Sequence, residues 1–149
     1  MKKKTFKIVT LVLFVLYCGA LAFVLFFPNL HRYRHGGRLY NIIPFETITE
    51  LIRRLIEGTI NADIVVRNIG VNILLFMPMG AFLPVLFTKL RKLWRVTLVC
   101  FSATVAAELI QFVFILGSCD VDDVILNLAG AIIGYGIGHI PVIKRLLIA

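Results

Sequence analysis

Three carboxylates stand within four positions of one another in GSCDVDDVILNLAG, residues 117–130: Asp120, Asp122 and Asp123. A fourth, Glu108, lies in an apolar stretch upstream, with Gln111 one turn further on. Two carboxyls in different protonation states can act as general acid and general base. The same groups can cap a helix or hold a polar ligand. Asn127 follows Asp123 at i+4, and Asn72 and Arg67 add an amide and a cation from another stretch. Glu108, Asp123 and Asp120 are therefore the catalytic candidates. Asn72, Glu108, Gln111, Asp120, Asp123, Asn127 and Arg67 are the candidates for binding a ligand.

What must position these groups follows from composition. The chain has 149 residues, of which 60% are hydrophobic and 16% charged, and its mean hydropathy is +0.95. Soluble domains are about 45–50% apolar, so the chain reads as an integral membrane protein. Four apolar runs, about residues 8–27, 69–87, 96–116 and 124–143, each approach the ~20 residues that span a hydrocarbon core. The expected fold is all-α: four transmembrane helices joined by a long loop, 28–68, and two short connections. The first run is too long for the apolar region of a cleaved signal peptide. Tyr17 before Cys18 also spoils a lipoprotein site. Cys18, Cys100 and Cys119 are scattered and odd in number, which argues against a disulfide framework.

Cationic residues orient the spans. With the N-terminus inside, Lys2, Lys3, Lys4, Lys7, Lys89, Arg91, Lys92, Arg95, Lys144 and Arg145 face the cytoplasm. Arg32, Arg34, Arg38, Arg53, Arg54 and Arg67 face out. That is ten against six, so both termini are expected to be cytoplasmic. The net charge of +8 is then mostly a cytoplasmic fringe for anionic lipid, and no nucleic acid is needed to explain it.

Inside loop 28–68, FETITELIRRLIEG repeats Ile48, Leu51, Ile52, Leu55 and Ile56 at helical spacing. Glu46 and Glu50 precede Arg53 and Arg54, which suits the helix dipole. A short amphipathic helix lying on the outer leaflet is expected there.

At the helical rise, Glu108 lies ~12 Å and Gln111 ~8 Å below the outer end of the third span. Asn72 and Asn127 lie ~5 Å below the starts of the second and fourth. The aspartates then form the rim of an outward polar pocket with Glu108 at its floor. A carboxylate in a span costs ~2.5–3.5 kcal/mol, so Glu108 should be protonated, paired or wet. Arg67 and the Arg32–Arg38 cluster are the cations available to pair with it. The plainer reading fastens Glu108 to Asn127 or Asn72, and lets Asp122 or Asp123 cap the fourth helix. Gly130, Gly134 and Gly138 form a small-residue stripe, most simply packed on Ser102, Ala103, Ala106 and Ala107 of the third span. A homodimer through those glycines is the alternative. His31 and His35 are spaced for one helix face, but no zinc-ligand spacing is present, and neither a metal nor any other cofactor is expected.

Four ordered blocks, NIIPFETI (41–48), NILLFMPMGAFLP (72–84), AELIQF (107–112) and DVDDVILNLAGAIIGY (120–135), resemble the VanZ-like family of bacterial membrane proteins. The family's signature falls here on Asn41, Pro44, Phe45, Asn72, Phe76, Pro78, Gly80, Glu108, Gln111, Asp120, Asp123, Asn127 and Gly130. Many members carry an arginine three residues before the first aspartate, where this chain has Gly117. Any pairing by that arginine is absent here, or supplied from Arg32–Arg38. The resemblance implies a single membrane domain over residues 1–149 in the bacterial plasma membrane. It also implies a role in resistance to teicoplanin and other lipoglycopeptides that leaves the peptidoglycan terminus unmodified.

Two mechanisms remain open. In one, the outward pocket engages an amphiphile, either a lipoglycopeptide or a cell-wall lipid precursor. In the other, the chain is an enzyme on a lipid-linked envelope substrate, with Glu108 and Asp120 or Asp123 as acid and base. Ser118 and Cys119 are then the nearby nucleophiles. A purely structural membrane protein is the third reading.

Overall fold

A computed structural model describes residues 3–27 and 40–139. It is almost wholly helical: α1 (Lys3–Phe26), α2 (Glu46–Ile56), α3 (Ala62–Val65), α4 (Val71–Leu86), α5 (Leu93–Phe114) and α6 (Val121–Gly138). A two-residue parallel ladder joins β1 (Tyr40–Asn41) to β2 (Cys119–Asp120). Four stretches are long and apolar enough to cross a membrane: Thr5–Phe26, Ala62–Leu86, Leu93–Phe114 and Val121–Gly138. The chain is thus a multi-pass membrane protein of the expected class.

The second span begins at Ala62 rather than Ile69. α3 runs through a single π-helical turn, Val66–Gly70, directly into α4. Arg67 and Asn68 look like a loop in sequence, but neither breaks a helix. The Asn68 amide donates to the Ile64 carbonyl at 2.7 Å and stays inside the helical path. The real break is upstream. Gly58, at φ 69°, ends α2 while the Gly58 and Thr59 N–H groups return to the Leu55 and Arg54 carbonyls, a Schellman cap. The amphipathic helix in the first loop is present as Glu46–Ile56. Glu50 accepts from Arg53 and Arg54 along its exposed side. Residues 140–143 of the fourth expected span lie outside the described residues, as does the Arg32–Arg38 loop with His31 and His35.

The glycine stripe packs on the second span, not on the third. A methyl group added at Gly130 would overlap the Ile73 carbonyl, and one at Gly134 the Met77 carbonyl. Reciprocally, Gly80 of α4 meets the Ala131 carbonyl. Small residues on both helices let the two backbones touch, the usual solution where lipid removes the hydrophobic drive for helix pairing. The groove that the sequence offers to a second copy is therefore filled within the chain.

Around this seam, Phe76, Met79, Leu83, Val96, Cys100, Ala131 and Leu21 form the core. α1 closes it through Phe14 and Tyr17, whose hydroxyl donates to the Leu75 carbonyl. Its other face, including Val12, Val15 and Leu16, is exposed as a lipid-facing surface should be.

Candidate functional site

The polar residues converge at one end of the bundle, where α5 ends and α6 and α4 begin. α5 finishes with Ile115 in the left-handed conformation, and the chain then folds back along the helix. That return brings Asp120 level with Glu108. The Asp120 N–H donates to Glu108 Oε2 at 3.0 Å. Rim and floor, expected at different depths, thus form one layer. Glu108 is only 6% exposed. Among the described residues the salt bridges are confined to Arg53 with Glu50 and Glu57 and Arg54 with Glu50. Arg67, exposed on its helix, is not the partner of Glu108.

Asp120 organises the layer. It is the N-cap of α6, its Oδ1 accepting the Asp122 N–H at 2.9 Å. The capping aspartate is thus Asp120, not Asp122 or Asp123 as the sequence suggested. Its Oδ1 also accepts from the Asn41 amide at 3.2 Å, and its Oδ2 accepts the Thr47 hydroxyl at 2.6 Å. Asn41 in turn turns its own chain, its Oδ1 accepting the Ile43 N–H at 2.9 Å. With the β1–β2 ladder, these bonds pin the loop before α2 against the connection between α5 and α6.

Asp122 reaches the other way. It is fully buried, and its two oxygens accept the N–H groups of Phe45 and Ile48 at the start of α2. A carboxylate on α6 therefore satisfies the open end of another helix and meets its positive dipole. Phe45 needs that support. It sits at φ 67° after Pro44, in a turn closed by Glu46 N–H to Ile43 carbonyl, where glycine would be usual.

Asp123 and Asn127 occupy the stripe below. The Asn72 amide donates to Asp123 Oδ1, joining α4 to α6, and both residues are half-buried. This pair also fixes depth. Asn72 lies ten residues past Ala62, and Asp123 two past Val121, so the start of the second span projects ~12 Å beyond α6. Asn127, 3% exposed, donates through Nδ2 to Thr104 Oγ1 at 2.7 Å. Its Oδ1 is buried with no partner among the described residues. Gln111 is turned to α1, donating to the Leu25 carbonyl at 2.9 Å, and Gly117 rests against its side chain. Neither asparagine bonds Glu108, so the expected Glu108–Asn pairing is replaced by one with backbone.

The sequence reading missed Thr104, Thr47 and the reach of Asp122. Thr104 had a signal: it precedes Glu108 by four and Gln111 by seven, on the same helical stripe. Thr47 and Asp122 had none, because their partners come from the far side of the chain. Of the two candidate nucleophiles, Cys119 lies beside the carboxyl layer. Burial, with Glu108 and Asp120 beside it, pushes its thiol up and away from the reactive thiolate.

A family model described as VanZ/LLP1 matches residues 14–143. Protein VanZ of Enterococcus faecium is 29% identical over 120 residues, which cover 78% of this chain. The match spans 65% of that relative's length, just under two thirds. No solved structure matches.

Proposed function

This chain belongs to the VanZ/LLP1 family, and from that membership we propose that it protects a bacterial cell against teicoplanin-type lipoglycopeptides. On this reading it sits in the plasma membrane with both termini cytoplasmic, and its polar end faces out. There it engages an amphiphile, either the antibiotic itself or a cell-envelope lipid.

The observation that carries the reading is the orphan acceptor on Asn127. A buried carbonyl oxygen without a donor costs ~1–3 kcal/mol. It lies one turn below the half-buried Asn72–Asp123 pair, between helices whose outer faces are apolar. The oxygen is closed off in this conformation, so a hydroxyl or amide of an amphiphile's head would reach it only where the Asn72–Asp123 pair above it parts, while the tail stays in lipid. An acyl chain gains ~0.8 kcal/mol of membrane residence per buried methylene, so a protein acting at that depth discriminates tailed from untailed glycopeptides.

Binding is better supported than catalysis. Both oxygens of Asp120 already accept hydrogen bonds, and burial, with the carboxyls beside Cys119, pushes its thiol up, away from the thiolate. The enzymatic alternative narrows to Glu108 with Asp123, and an unchanged lipid-precursor profile in expressing cells would count against it.

The test is growth inhibition in a susceptible Gram-positive host carrying the native chain, Asp123→Asn or Asn127→Leu at matched membrane levels. The native chain should raise the inhibitory concentration of teicoplanin and leave vancomycin unchanged. Either variant should lose that gain. Equal protection against both drugs sinks the tail-dependent mechanism, and protection kept by both variants sinks the site.

A further inference from the structure

The opposite end of the bundle carries a second feature, unconnected with the polar layer. A cavity of about 120 Å³ opens where the first turns of α1 meet the end of α4 and the link to α5. Phe6, Lys7 and Thr10 of α1 line it together with Pro84, Val85 and Leu86 of α4 and Arg91 of the link. We infer that this cavity binds the phosphate of an anionic phospholipid, held between Lys7 and Arg91, with the start of the acyl chains against Phe6, Val85 and Leu86.

Charge makes the argument. All eight acidic residues of the chain lie within Glu46–Asp63 and Glu108–Asp123, at or beyond the other end. Neither Lys7 nor Arg91 has a salt bridge among the described residues, and no Asp or Glu side chain lies on the segments that line the cavity. The neighbouring Arg95 is already committed: it donates to the Lys89 carbonyl at 2.7 Å and lies 5.2 Å from the Trp94 ring. Lys7 and Arg91 thus both line the cavity as cations without a salt bridge among the described residues. The start of α1 adds the positive end of its dipole. The Thr10 hydroxyl is turned onto the Phe6 carbonyl at 3.0 Å, so recognition rests on the two cations.

Shape agrees with charge. The volume is near that of an apolar cavity of roughly 150 Å³ that accepts benzene, room enough for one phosphate group. The mouth lies at the depth where basic pockets between membrane helices take up lipid headgroups. Free phosphate would satisfy the cations equally well, whereas the apolar walls favour a ligand that brings its own hydrocarbon.

The test uses the full chain in a neutral detergent, titrated separately with phosphatidylglycerol, phosphatidylcholine and inorganic phosphate. Bound adducts are read by native mass spectrometry. Phosphatidylglycerol should bind preferentially, and Lys7→Gln/Arg91→Gln should weaken it ~30-fold, from two cations each worth about a factor of five. Lys92→Gln, which removes a charge outside the cavity, should leave it unchanged. If the double variant does not fold, the single variants carry the test at roughly fivefold each. Equal binding of the two lipids, or an equal loss in Lys92→Gln, would falsify the site as a headgroup cavity. Inorganic phosphate binding as tightly as phosphatidylglycerol would overturn the lipid and leave a soluble-anion site.

Discussion

The polar layer and the glycine seam share α6 and α4 but hold them together by opposite means. In the seam, Gly130 and Gly134 press against the carbonyls of Ile73 and Met77 with no side chain between. In the layer, Asp120, Asp122 and Asp123 extend from the first turn of α6 to N–H, hydroxyl and amide donors on β1, α2 and α4. The seam is a contact of shapes, short in range and unaffected by charge. The layer is a set of directed bonds, several to carboxylates and hence stronger than neutral ones. One helix thus carries its fold-forming surface in its middle and its ligand candidates at its end, so each can be changed without the other.

The largest effect should come from Gly134→Leu. A side chain there must displace the Met77 backbone, and backbone in a packed pair cannot step aside. Overpacking costs ~1–3 kcal/mol where neighbours relax, and here the loss should exceed that range and abolish the monodisperse folded protein in size-exclusion chromatography. Gly136→Ala, whose added methyl meets nothing within 4 Å, should melt like the native chain. Equal damage from both would show that the seam is not what matters.

Asp122→Ala should come next, and act locally. It frees the Phe45 and Ile48 N–H groups at a cost of ~2–3 kcal/mol. Hydrogen exchange at those two amides should speed roughly thirty-fold or more, while the α4–α6 seam keeps its protection. If exchange spreads through α6, the two regions are one cooperative unit and the contrast fails.

Asn127→Leu should separate stability from function. It removes an unsatisfied buried oxygen together with a single neutral bond to Thr104, so the melting temperature should change by the equivalent of under ~1 kcal/mol. Protection against teicoplanin should nevertheless be lost. A large drop in stability instead would assign Asn127 to the seam.

The smallest effect lies on the exposed face of α2. Hydrogen bonds from Arg53 and then Arg54 hold the Glu50 carboxyl below its ordinary value. A group lowered in the folded state stabilises above its unfolded value, near 4.3, and loses that contribution as pH falls through the folded one. Helicity of α2 should therefore decline slightly on acidification below that value, and salt should shrink the change. Glu50→Gln should shrink the dependence to what the Arg53–Glu57 pair contributes.

Much of this was legible along the chain. Length and hydropathy give four spans, and 3–4 spacing gives α2, because each depends on a local run of side chains. Intramembrane cost picks out Glu108, Asn72 and Asn127 as polar groups that must find partners. Local pattern fails where a partner is remote. Nothing near Asp122 says that it caps a helix seventy-odd residues upstream, nor does the glycine stripe choose between α4 and α5. The start of the second span was misplaced because Arg67 and Asn68 look polar enough to end a helix, whereas only a backbone break such as Gly58 does.

Membrane class, the number of spans and the polar residues too costly to be idle can all be read along the chain, since they follow from what it costs to bury each residue in lipid. Who satisfies whom emerges only in three dimensions: Glu108 with a backbone N–H instead of an arginine, Asp122 with α2, and the glycines with α4. Hydrogen bonds and backbone contacts depend on distance in space, and a fold that turns back after α5 brings together donors and acceptors that the chain keeps far apart.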